Sequence, residues 1–125
     1  MTHIRLAPRL LILALLATPA SVLAHHGLQL WSDEVTTIEG FVSAEMDGFP
    51  HWEISVRTPD GEDWDIDVGS DFEMERAGMK PEDLPIGTEV RVEGNRPQDE
   101  PDARLLRPLK IIAGDKVYEF RGNWN

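Results

Sequence analysis

The chain reads as a mainly β domain: a small five- to six-stranded OB-like barrel with one short helix between the third and fourth strands. Three observations carry this reading. Short segments with period-two alternation of apolar and polar residues recur along the sequence. Strong turn signals separate them, and one helix-capping pattern falls between the third and fourth segments. A small β-sandwich is the alternative packing of the same strands.

The elements follow in order. Residues 28–34 (LQLWSDE) show no period and read as an irregular lead-in, with Trp31 packed onto the domain. Residues 36–46 (TTIEGFVSAEM) form the first strand, with Ile38, Gly40 and Val42 on one face and Thr37, Glu39 and Phe41 on the other. The glycine permits a bend or bulge. Residues 51–58 (HWEISVRT) alternate Trp52, Ile54 and Val56 against Glu53, Ser55 and Arg57. Thr58-Pro59-Asp60-Gly61 is a turn signal. Trp64, Ile66 and Val68 then alternate with Asp63, Asp65 and Asp67, so the two segments pair as a hairpin with both tryptophans in the core.

Ser70 and Glu73 stand at capping-box spacing and start a short helix, with Phe72, Met74 and Ala77 as its buried positions and Gly78 at its end. Residues 80–87 (KPEDLPIG) read as a loop. Residues 88–93 (TEVRVE) alternate again, with Val90 and Val92 inward, and residues 94–102 (GNRPQDEPD) read as a polar connection. A strand spans residues 105–112, where Pro108 marks an edge or a bulge. Gly114-Asp115 turns into a last strand, residues 116–120, and a short tail carries Trp124.

The start of the chain has the three parts of a secretory signal. Arg5 and Arg9 lie in the basic segment, residues 10–17 (LLILALLA) are apolar, and Val22 and Ala24 are the small residues before the cut. The apolar run is too short for a membrane span, which needs about 20 residues. The expected organisation is a signal peptide at 1–24, a lead-in with a His-His start at 25–35, the barrel at 36–121 and a tail at 122–125. The mature chain is soluble and periplasmic on this reading, with no membrane contact after cleavage.

The 125 residues include 12 basic and 23 acidic ones, a net charge of −11. Cleavage removes Arg5 and Arg9 but no acid, leaving 10 basic and 23 acidic residues and a net charge of −13. That field repels phosphate backbones, which argues against nucleic acid as a partner, and it favours cations. Cysteine is absent. Disulfides, thiolate metal sites, a cysteine nucleophile and a lipid anchor on cysteine are thereby excluded.

The chemistry points to metal. After cleavage behind Ala24, His25 offers a free α-amine and an imidazole on one residue, and His26 adds a second ring. His51, following Pro50 at the mouth of a strand, supplies a third. The α-amine titrates near about 7.7 and imidazole near about 6.5, so both kinds of nitrogen are available as neutral ligands close to neutral pH. Three such nitrogens suit Cu(II). Cleavage one residue earlier would give Ala24-His25-His26, whose third-position histidine also makes a square-planar copper or nickel site. Asp63, Asp65 and Asp67 share one strand face and could gather a hard cation such as Ca²⁺; such a row is more often the solvated face of a strand, and the loop spacing of a calcium motif is absent. No serine sits in a nucleophile elbow and no glycine-rich phosphate loop is present.

The ordered motifs also resemble a family of small exported bacterial proteins catalogued as domain of unknown function 6152. They are Ala24-His25-His26, Pro50-His51-Trp52, Trp64, Gly69-Ser70, Arg76 with Gly78, Leu84-Pro85-Ile86-Gly87 and Val90-Arg91-Val92-Glu93-Gly94. Phe49 and Met79 depart from the family's usual Asn and Trp. The resemblance covers most of the mature chain and implies export and a small β-rich fold, with no activity attached. The functional expectation is an exported copper-binding protein, not an enzyme, using His25, His26 and His51. The alternatives are an acidic accessory module that meets a protein or small ligand, and a copper-dependent oxidative activity.

Overall fold

Residues 30–48 and 51–120 are described by the computed structural model of the chain. They form β1 (Trp31–Val42), β2 (Trp52–Arg57), β3 (Asp63–Gly69), helix α1 (Asp71–Ala77), a 3₁₀ turn (Pro81–Asp83), β4 (Glu89–Pro97), β5 (Leu105–Ala113) and β6 (Lys116–Glu119). The expected signal sequence, the His25-His26 start, Phe49, Pro50 and the tail with Trp124 lie outside the described residues.

The strands pair in the order β3-β2-β1-β4-β5-β6. A parallel pairing of β3 with β5, Asp65 opposite Leu105 and Ile66 opposite Leu106, closes the first five strands into a barrel. β6 lies antiparallel on β5 as a sixth strand. The OB-like order, with its helix between β3 and β4, is therefore the one adopted, and the sandwich alternative is not. Alternation sets the faces as expected: Ile38, Val42, Ile54, Val56, Ile66 and Val68 are buried, while Thr37, Glu39 and Phe41 face outward. Each fully buried aliphatic side chain contributes roughly 1.5–3 kcal/mol.

Gly40 is where β1 passes hard against β2. A Cβ there would stand 2.2 Å from the Arg57 carbonyl oxygen, so no side chain fits the approach. Pro108 sits within β5 beside a bulge: Glu93 faces Lys110 and Gly94 faces Pro108, which leaves Leu109 over. Pro108 is fully buried, so of the two readings for this proline the bulge is correct.

Three expectations are corrected. The lead-in is not irregular from residue 31 onward. Trp31 pairs with Pro97 and Val35 with Asn95, so β1 begins at Trp31. A register shift between those pairs breaks the period, and Ser32, Asp33 and Glu34 at the bulge carry no apolar signal. β4 likewise runs on through Gly94–Pro97, a stretch whose composition reads as connection. Phe72, expected in the core, is 63% exposed, and the Arg76 guanidinium lies 5.6 Å from its ring centroid. On a helix of 3.6 residues per turn, positions two apart point nearly opposite ways. With Met74 buried, Phe72 must face water.

Helix α1 begins and ends as its residues prescribe. The Glu73 carboxylate accepts the Ser70 N–H at 2.5 Å. At the far end Gly78 N–H donates to the Glu75 carbonyl and Met79 N–H to the Met74 carbonyl, each at 3.0 Å. This pair of bonds brings the residue after the glycine back over the last helical turn. Met79 is buried for that reason, together with Met74.

Candidate metal-binding face

His51 lies in the bend immediately before β2 rather than in the strand itself. Its side chain is 67% exposed, and its Nδ1 stands 3.9 Å from Asp67 Oδ1. The hairpin explains the encounter. β2 and β3 pair with Glu53 opposite Asp67, and a register shift next to it sets Trp52 opposite Gly69, so His51, two residues before Glu53, falls at the Asp67 end of the hairpin. The distance is that of an ion pair rather than a hydrogen bond.

Asp67 is held from behind. Its Oδ1 accepts the Gly69 N–H at 3.0 Å. Gly69 has φ of +95°, and a Cβ there would come within 1.7 Å of Glu73 Oε2. Glycine is required on both counts. Glu73 not only caps α1 but accepts a hydrogen bond from Arg107 Nη2 at 3.1 Å, in an ion pair whose side chains are only 14% and 13% exposed. The Arg107 guanidinium in turn lies 5.8 Å from the Trp31 ring centroid. An unbroken path of contacts thus runs from Trp31 through Arg107, Glu73, Ser70, Gly69 and Asp67 to His51.

The face around His51 is negative. Glu53 forms an isolated bridge with Asp47. Burial, and then the charges of Asp65, Asp67 and Asp47, push the Glu53 carboxyl above its ordinary range. The three aspartates of β3 do not act together. Asp63 is engaged by Arg57 through two hydrogen bonds of 2.8 and 3.0 Å, which hold its carboxyl below the usual range. Asp67 turns to Gly69 and His51. Among the described residues no three His, Asp or Glu side chains are arranged around one point to hold a metal ion. The aspartate row therefore gives no support to a calcium site, and a metal ion at His51 would need donors from outside the described residues.

The other side of β2 carries a different feature. Trp52 Nε1 donates to Asp71 Oδ1, which fixes the indole as one wall of a groove of about 260 Å³ beside α1, also lined by Met74, Met79 and Pro81. Trp64, by contrast, is a core residue as expected, 5% exposed, with the Arg96 guanidinium 4.8 Å from its ring centroid.

Of the three histidines singled out by sequence, His51 is placed here, while His25 and His26 lie outside the described residues. The Asp67 partner of His51 escaped sequence reading, although the hairpin register contains the signal for it. The Glu73–Arg107 pair joins residues 34 apart, and nothing local announces it. Compared with known proteins, the chain matches no family model and no curated protein.

Proposed function

We propose that the mature chain is an exported, periplasmic copper-binding protein, in which the α-amine and imidazole of His25, the imidazole of His26 and that of His51 supply nitrogen donors to Cu(II). Its role on this reading is sequestration or delivery of the ion, without catalysis. The order of its motifs resembles that of the exported family catalogued as domain of unknown function 6152, and that resemblance supports the export part of the reading.

The observation that carries the reading is the state of His51. It is an accessible imidazole at the lip of a closed barrel, facing a fixed carboxylate on a negative face. A carboxylate behind an imidazole is the usual support for a metal-bound histidine, and it raises the basicity of the ligand. The contact path from Trp31 to His51 adds to this. Six peptide steps lead from His25 to Trp31, an extended reach of about 20 Å at most, and on this reading that reach lets the new N-terminus meet His51.

The test uses protein exported with its own signal. Mass spectrometry should find His25 as the first residue, and Cu(II) titration should give a nitrogen-rich electron paramagnetic resonance spectrum. His25→Ala combined with His51→Ala should weaken binding at least about tenfold. A copper spectrum lacking nitrogen donors, or unchanged affinity in the double variant, overturns the reading.

The second reading, a non-enzymatic acidic binding or accessory module, is favoured by the carboxylates of Glu53, Asp65 and Asp67 on the β2–β3 hairpin and of Asp47 bridged to it. Its partner would be cationic. A pull-down from periplasmic extract at low salt that recovers nothing counts against it.

A further inference from the structure

We propose that Asp67 is a positioning residue for His51: its carboxylate holds the neutral imidazole as the Nδ1–H tautomer and leaves the Nε2 lone pair as the donor available to a metal ion. The consequence for copper rests on the copper reading above; the tautomer itself does not.

The inference follows from how firmly the carboxylate is placed. Asp67 Oδ1 is tied to the Gly69 N–H, and its side chain is only 25% exposed. Gly69 has a positive φ, and the Glu73 carboxylate fills the space that a Cβ there would take, so the turn at this position calls for glycine. Glu73 is itself held by the Ser70 N–H and Arg107. His51 is the more exposed partner, and its Nδ1 stands 3.9 Å from the Asp67 carboxylate. A lone pair on Nδ1 at that distance would be repelled by the carboxylate, whereas an N–H dipole is attracted. Glu53, opposite Asp67 in the hairpin register, and its bridge partner Asp47 add negative charge to the same region. Which ring nitrogen carries the proton is set by the partner of the other. In water the neutral imidazole of a histidine favours the Nε2–H form, so the placement here reverses the default.

The experiment is a two-bond ¹H–¹⁵N correlation spectrum of the metal-free protein, read on the neutral ring of His51. Asp67→Asn is the matched variant, since it keeps an oxygen for the Gly69 N–H and removes the charge. The wild type should be mainly Nδ1–H, and Asp67→Asn mainly Nε2–H with the remaining backbone amides in place. A wild-type ring that is mainly Nε2–H overturns the proposal, and so does the same tautomer in both proteins. If Asp67→Asn does not fold, a wild-type ring that is mainly Nε2–H still overturns the proposal, and Asp67→Ser, which keeps an oxygen without the charge, takes the variant's place. Copper takes no part in that measurement, so a protein that binds no copper removes the copper reading and leaves this one standing. Where copper does bind, Asp67→Asn should weaken it by about 10–100-fold.

Discussion

Glu53 shows how one outward-facing residue in a β-hairpin comes to matter. Partial burial is the main cause that raises its carboxyl pKa, and the charges of Asp65, Asp67 and Asp47 beside it add to the effect. Both effects disfavour the ionised carboxylate in the folded state, so its pKa lies above the unfolded value. Between those two values the folded chain holds the extra proton, and stability falls as pH rises through the interval. The cost is in full force at neutral pH. It disappears as pH drops through the raised value and past the ordinary 4.5. Glu53→Gln should therefore be more stable than the wild type at pH 7, with the advantage shrinking on acidification. Urea unfolding at a series of pH values measures this directly. An offset that stays constant with pH would mean that the gain comes from packing and not from charge. Asp63 carries the opposite shift, since Arg57 favours its ionised form, but that pair is exposed and surface pairs of this kind contribute little.

At the scale of elements, the turn leaving α1 separates what packs from what merely looks apolar. Met79 is 3% exposed although it lies outside the helix, and Phe72 is 63% exposed although it lies inside. Met79→Ala should cost about 2–4 kcal/mol through the cavity it leaves. Phe72→Ala should cost less than about 1 kcal/mol, its loss confined to an exposed ring under Arg76. Equal losses in thermal or urea unfolding would contradict the placement of the two side chains. The same contrast explains which elements could be read from sequence. Ile54, Val56, Trp64, Ile66 and Val68 alternate without interruption, so the β2–β3 hairpin and its inward face were legible. The capping pair Ser70 and Glu73 and the closing Gly78 marked α1. Where a bulge interrupts pairing, as between Trp31 and Val35, side chains on one face no longer fall at every second residue, and the first part of β1 looked like a lead-in. Gly94 to Pro97 carries turn-forming residues because β4 runs past its bulge there. The candidate site was legible as residue types, with His51 at the mouth of a strand. Its carboxylate support was not, because that depends on the register shift beside Trp52 and on Gly69 bending toward Glu73.

For the whole molecule, barrel closure brings the start of β1 and the start of β2 into one network of contacts. Trp31 rests on Arg107 of β5, Arg107 holds Glu73 of α1, and the turn at Gly69 holds the carboxylate that faces His51. A metal ion bound by His25 and His51 together would therefore tie the residues before β1 to the mouth of β2, joining parts of the chain that only the folded barrel assembles. An ion that binds the folded chain and not the unfolded one stabilises it by about 2.7 kcal/mol when its free concentration is 100 times Kd. Added Cu(II) should thus raise the unfolding temperature of the mature protein. His51→Ala should leave the metal-free stability within about 0.5 kcal/mol, because the side chain is exposed and fills no part of the core, yet it should remove most of the copper-induced rise. Blocking the α-amine of His25 by acetylation should do the same without touching the barrel. Differential scanning calorimetry with and without Cu(II) reads all three proteins. If His51→Ala keeps the full rise, then copper is held by the N-terminus alone, and the barrel serves only to carry it.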